Sequence, residues 1–266
     1  MPTPSSPEAE PHRLRTVAES FGADAERYNR ARPSYPDALV ERIVAESPGR
    51  SVLDVGCGTG IVARQFQAAG CTVLGIDPDP RMAEEARRHG LDVEVATIEA
   101  WEPAGRSFDA LVAGQAWHWV DPVAGAAKAA AVLRPGGRLA LFWNAFEPPP
   151  DLAEGFAAVC RRVVPDLPMT HRWSFSGDDY AQLAARPAEA IRAGGAFGEP
   201  EDRRFPWERE YTRDEWLDQV PTSGGASRLP SDTLAEILAG FGAVVDAAGG
   251  AFTMRYTTVA VTAARS

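Results

Sequence analysis

The chain has 266 residues, which suits one domain with an elaboration or two small ones, and a core that buries about three-quarters of the unfolded surface. Hydrophobic residues at 45% and charged residues at 24% are ordinary for a globular protein, while 22 Pro and 24 Gly ask for many turns. The formal net charge of −10 sets up a field that repels a polyphosphate backbone, which argues against nucleic acid as a partner.

The start, MPTPSSPEAEPH, has neither the basic nor the apolar part of a signal peptide and reads as a disordered tail over residues 1–12. Residues 14–30 mix aromatics with charges. Pro36 then opens PDALVERIVAES, whose Leu39, Val40, Ile43 and Val44 share one helical face. SVLDV (51–55) is a short buried strand that runs straight into glycines. From there strands and helices alternate: IVARQFQAAG as helix, CTVLGID as strand, PRMAEEARRHG as helix, LDVEVAT and SFDALVAG as strands, PVAGAAKAAAVL as helix, a Pro135-Gly136-Gly137 turn, and RLALFWN as strand. That alternation predicts a doubly wound, mostly parallel α/β sheet. The pattern breaks at FEPPPD, and residues 146–200 read as a helical insertion. RRFPWEREYT (203–212) and AFTMRYTTVAVTA (251–263) add two strands at the sheet edge.

No run approaches the ~20 apolar residues of a membrane span. Cys57, Cys71 and Cys160 are odd in number and lack metal-type spacing, which fits free thiols in a reducing, cytoplasmic setting and no bound metal.

VLDVGCGTG puts Gly56, Gly58 and Gly60 between a strand and a helix, where glycine lets backbone approach a ligand and the helix start offers free N–H groups. A dinucleotide fingerprint, G-x-G-x-x-G, needs glycine at position 61, and Ile61 stands there. A nicotinamide-dependent oxidoreductase is therefore the second reading, and a non-catalytic ligand-binding module the third.

The pattern D-x-G-x-G-x-G, with Gly-Ile-Asp77 closing the next strand, resembles the S-adenosyl-L-methionine (AdoMet) site of class I methyltransferases. The likeness covers roughly residues 20–145. Tyr28-Asn-Arg-Ala-Arg32-Pro-Ser-Tyr35-Pro and FDALVAGQAWHWVD are similar to segments of small-molecule methyltransferases related to the trans-aconitate methyltransferases. The resemblance implies a Rossmann-like, seven-stranded sheet with an antiparallel last strand and AdoMet as cofactor. It implies that Gly56, Cys57, Gly58 and Gly60 form the cradle and that Asp54 supports the methionyl ammonium. Asp77 would take the ribose, Pro78 and Met82 would flank adenine with Thr97 and Ile98 at its edge, and Gln115 would also bind the cofactor. Many relatives carry an acid where Thr97 stands, so either Glu99 or backbone would serve there or the affinity is lower. Arg32 would pair with the cofactor carboxylate under Tyr28; alternatively it is a surface arginine.

Trp117-His118-Trp119 leaves the fourth strand where ligands bind in open α/β sheets. The indoles, with Trp143 and Trp173, would form an apolar wall for the substrate. His118 is either a general base for a hydroxyl acceptor or a polar spacer, since methylating a carboxylate needs no base. The expected reaction is methyl transfer to a small organic molecule, by O-methylation of a carboxylate or hydroxyl, with C- or N-methylation as the alternative, in a monomer or homodimer. Phe146, His171, Trp173 and Phe175 predict either an aromatic-anchored lid over 146–200 or a helical outrigger.

Overall fold

A computed structural model describes residues 19–165, 177–223 and 226–266. The expected tail lies outside them, as do His171, Trp173 and Phe175. Seven strands form one sheet in the order β3-β2-β1-β4-β5-β7-β6. They are β1 (Ser51–Val55), β2 (Thr72–Asp77), β3 (Asp92–Val95), β4 (Phe108–Gly114), β5 (Leu133–Glu147), β6 (Glu201–Thr212) and β7 (Ala251–Ala264). The first five run parallel, and β7 is antiparallel to both β5 and β6. Strands β1 and β4 are almost wholly buried, as strands covered by helices on both faces must be, which is why they read as continuous apolar runs. Edge strand β6 alternates exposed and partly covered positions instead, and tolerates Pro206.

Helices α1 (Ala25–Ala31), α2 (Asp37–Glu46), α3 (Ile61–Ala68), α4 (Pro80–Arg88) and α5 (Pro122–Val132) precede the end of β5, and α6 (Pro150–Val163), α7 (Gly177–Gly194), α8 (Arg213–Gln219) and α9 (Ser231–Ala247) follow it. Leu39 and Ile43 of α2, Phe66 of α3 and Ala86 of α4 pack on one face of the sheet against Val52, Val73 and Val112. Ala126 and Ala129 of α5, with Tyr180, Ala184 and Ile191 of α7, cover the other. A third cluster, with Phe156, Trp216, Phe241 and Phe252 at its centre, joins α6, α8 and α9 to the long ends of β6 and β7.

The Pro135-Gly136-Gly137 turn is an interruption inside a longer β5. The ladder with β4 slips from Phe108↔Leu133 to Ala110↔Arg138, so the extra residues bulge out, with Gly136 at φ 75°. Of the insertion after β5, the described parts are the helices on either side of the segment that carries His171, Trp173 and Phe175. Helix α7 lies in the layer over β5 and β7, beside α5, while α6 pairs with α9, so both serve as packing elements.

Candidate functional site

The sheet order turns round between β1 and β4, and the carboxyl ends of these two strands open on a cavity. Gly56, Gly58 and Gly60 all hold positive φ, at 67°, 54° and 83°. This bends the loop back on itself: the Gly56 and Cys57 N–H groups donate to the Ile76 carbonyl at 2.8 and 3.1 Å, and the Gly60 N–H to the Cys57 carbonyl at 2.8 Å. A Cβ at position 56 would lie 2.5 Å from the Ala116 Cβ, so that glycine lets the loop touch the end of β4. Gly60 caps α3 with its αL backbone. Gly56 and Gly58 line the cavity; Cys57 is buried and turned toward Gly75, with burial raising its pKa, so it acts as a packing residue.

Asp77, at the end of β2, joins the two halves of the cradle. Its carboxylate accepts from the Gly58 N–H at 2.8 Å and from the Asp79 N–H at 2.9 Å, and it faces the cavity. Burial lifts its pKa to about 6, with those N–H bonds working against the rise. Asp79 caps α4 and chelates the Arg81 guanidinium at 2.7 Å; burial favours its neutral form, but Arg81 prevails and holds it below the usual range.

Asp54 lies beneath the loop, 1% exposed, and neither carboxylate oxygen reaches a hydrogen-bond partner of good geometry. Burial first and the neighbouring Asp77 second push its pKa up to about 8, with the Ala63 N–H offsetting part of this. An acid held there without a cation is a strained arrangement that a positively charged ligand would relieve.

The N-terminal segment closes one side. The Tyr35 N–H donates to Gln65 Oε1 at 3.0 Å, Gln65 Nε2 donates back to the Tyr35 carbonyl at 2.7 Å, and Asn144 holds the Ser34 carbonyl at 3.2 Å. So anchored, Arg32 projects over the Tyr28 ring at 4.9 Å and donates to the Thr222 carbonyl at 2.5 Å, and both residues line the cavity. No carboxylate among the described residues pairs with Arg32, and its Nε is buried without a partner. Phe21, edge-on to Tyr28 at 5.9 Å, is a further lining residue that the sequence did not reveal, since it stands in an irregular stretch.

Pro78, Met82, Thr97 and Ile98 line the opposite side, together with Asp79 and Glu99. The Thr97 hydroxyl is directed at its own turn, 3.4 Å from the Ala100 N–H, and Glu99 accepts from the Asp121 N–H at 3.0 Å, tying this wall to the start of α5.

At the end of β4, Gln115 adopts φ 56°, a left-handed conformation uncommon outside glycine, while its N–H donates to the Phe142 carbonyl at 2.8 Å. It lines the cavity with an unpartnered Oε1. Trp117–Trp119 then form a single 3-10 turn that sends successive side chains in different directions. Trp119 and His118 line the cavity. Trp117 points down into the core at 1% exposed, and Trp143 is fully buried on β5, so neither forms part of the expected wall. Trp143 instead donates its indole N–H to His118 Nδ1 at 3.2 Å. Burial drives the His118 pKa down to about 3. Trp173 falls outside the described residues. Among those described, no group of three or more His, Cys, Asp or Glu could hold a metal ion.

Residues 52–137 match the family model described as "Methyltransferase domain". The chain is 40% identical over 133 residues to an uncharacterised methyltransferase of Mycobacterium bovis, covering 49% of this chain and 54% of that protein. It is 36% identical over 149 residues to a malonyl-[acyl-carrier protein] O-methyltransferase of Enterobacter lignolyticus, covering 54% and 59%. The chain thus spans about half the length of the curated relatives it matches. A candidate type II methyltransferase from Anaeromyxobacter dehalogenans superposes with a TM-score of 0.59 at 25% identity, over 87% of this chain and 97% of that one. The match to a methyltransferase domain over residues 52–137 thus falls on a Rossmann-like seven-stranded sheet.

Proposed function

We propose that the protein transfers a methyl group from AdoMet to a small organic acceptor, by O-methylation of a carboxylate or hydroxyl. The observation that carries the reading is the pair of buried acids under and beside a loop of three positive-φ glycines, one of them, Asp54, with no cation beside it among the described residues. A cofactor with an ammonium, a carboxylate and a ribose diol offers a partner to each of three charged groups in turn. Asp54 would support the ammonium, Arg32 would take the carboxylate, and Asp77 would accept from the ribose hydroxyls. Pro78, Met82 and Ile98 offer apolar faces for adenine.

AdoMet supplies a methyl group already activated on a positively charged sulfur, so the displacement asks the protein for alignment and a dry site rather than for acid or base. Tyr28 and Arg32 cover the cavity from the N-terminal side, Trp119 and His118 bound it on the acceptor side, and the αL backbone of Gln115 fixes the edge between them. The likeness to an O-methyltransferase supports oxygen as the nucleophile. A small-molecule acceptor of the trans-aconitate-related type, a cytoplasmic location and a monomeric or homodimeric state complete the proposal.

Titration calorimetry with AdoMet, its demethylated product and NADH tests this reading. Micromolar binding of the first two and none of NADH is expected; NADH binding without AdoMet binding would overturn it.

A further inference from the structure

Resting on the AdoMet reading, we infer that His118 is a fixed hydrogen-bond donor, and that it confines the enzyme to acceptors that arrive already ionised, namely carboxylates. An indole nitrogen can only donate, so the Trp143 Nε1–H at 3.2 Å requires an unprotonated Nδ1 on His118. The proton of the neutral ring must then sit on Nε2. Trp143 is fully buried in the β5 core and cannot swing away, and Trp119 lies against the imidazole at 4.6 Å, so the ring is held on two sides. His118 itself lines the cavity, which leaves Nε2–H as its remaining polar group.

A general base needs a free lone pair, and here the single lone pair of the imidazole is already engaged. The carboxylates that line the cavity stand on the walls away from the imidazole's partners and hold other groups there. Asp77 accepts from the Gly58 and Asp79 N–H groups, Asp79 holds Arg81, and Glu99 accepts from the Asp121 N–H. Tyr28 and Arg32 face each other on the N-terminal side, and Asp54 lies beneath the glycine loop. Of the groups packed directly against the imidazole, Trp143 and Trp119 carry no titrating proton. Burial among them acts in the same direction as the hydrogen bond and keeps the ring neutral.

An alcohol must lose a proton as its oxygen is methylated, and among the described residues nothing at this edge is placed to take it. A carboxylate has none to lose. One of its oxygens forms the new C–O bond as the methyl carbon–sulfur bond breaks, and the electron pair of that bond stays on sulfur. The products are a methyl ester and S-adenosylhomocysteine, with no proton released. The second oxygen can meanwhile accept from His118 Nε2–H, which orients the first and does not bind a neutral ether or alcohol oxygen as strongly.

Long-range proton–nitrogen NMR of the imidazole in the full chain tests the assignment without knowledge of the acceptor. The expected spectrum has Nδ1 unprotonated and Nε2 protonated, unchanged between about pH 5 and 8. A protonated Nδ1, or a titration inside that range, would overturn the inference. Trp143→Phe removes the donor and should release the tautomer, giving a mixed signal; AdoMet binding of the variant, by calorimetry, reports that it remains folded. A second arm follows the methyl group of labelled AdoMet into a small-metabolite extract. Label released as methanol by mild alkali marks an ester and supports the inference, whereas alkali-stable label marks an ether or amine and overturns it. No incorporation alongside tight AdoMet binding would tell against methyl transfer itself and leave the tautomer to be decided by the NMR. With an ester-forming acceptor in hand, His118→Phe should lower turnover about tenfold, and His118→Gln, which keeps a donor, should recover part of that loss. Equal losses of about a hundredfold or more in both would instead mark a base.

Discussion

Between Val55 and Thr97, the groups that face the cavity come from backbone bends and neighbours in the chain, with Gly56, Gly58 and Gly60 at positive φ and Asp77 reaching the Gly58 N–H only 19 residues away. Around β6, β7 and helices α6, α8 and α9, the material is different. Phe156 stacks on Trp216 at 5.6 Å and touches Phe241 at 4.6 Å, while the Tyr211 and Tyr256 hydroxyls meet at 2.7 Å, all across long stretches of sequence. The first region is specified by conformation and hydrogen bonds; the second is specified by shape and burial. The two should accordingly fail differently, one by losing ligand and the other by losing stability.

The sharpest way to break that contrast is at the centre of the aromatic cluster. Phe156→Ala empties a fully buried site, and should cost about 3–5 kcal/mol of unfolding free energy by denaturant titration. AdoMet affinity of the folded fraction should stay within about threefold. A large loss of binding would join the two regions functionally. Gly56→Val is the converse. It forces a β-branched residue to φ 67° and places a Cβ 2.5 Å from the Ala116 Cβ, so roughly 2–4 kcal/mol of stability and essentially all AdoMet binding should go together.

This division also explains what the sequence made legible. VLDVGCGTG and GIDPDP announce a cradle because glycines at fixed offsets and acids at strand ends are local features, and local features survive without the fold. Trp117, His118 and Trp119 could be placed at the right edge but not sorted, since a single 3-10 turn decides which of three adjacent side chains enters the core. The partner that sets the His118 tautomer, Trp143, stands 25 residues away and meets it only because β5 lies beside β4. Tyr180 belongs to the same core face as Trp143 for the same reason, and no spacing in the chain predicts it. Phe21 had no periodic signal, and the bulge in β5 was hidden because Pro-Gly-Gly reads identically as a turn and as an interruption of a ladder.

Asp77→Ala tests the cofactor side at smaller scale. The variant loses the putting-together of loop and strand as well as the ribose acceptor, and should weaken AdoMet binding by about 1–3 kcal/mol in calorimetry. Unchanged affinity would remove Asp77 from the proposed ribose site. Asp77→Asn, which keeps one acceptor for the Gly58 N–H, should recover part of the loss and so separate the loop contact from the ligand contact.

The smallest effect is the one that reads the two buried acids directly. In the unfolded chain Asp54 and Asp77 ionise near 3.8, whereas in the folded protein burial raises Asp77 to about 6 and burial with the Asp77 charge raises Asp54 to about 8. Between these limits the folded state holds more protons than the unfolded one. Stability of the ligand-free protein should therefore fall as pH rises through this window, and the loss should be complete above the folded value of Asp54. An ammonium placed over Asp54 favours the ionised carboxylate, so AdoMet should bind with release of a fraction of a proton near pH 7. The apparent binding heat would then vary with the ionisation enthalpy of the buffer. Asp54→Asn removes the titrating group without emptying its site, and should flatten the pH profile of stability while weakening AdoMet. If the native protein already shows a flat profile over that window, Asp54 is ionised and paired in solution, and the unmet charge that supports the cofactor assignment is not there.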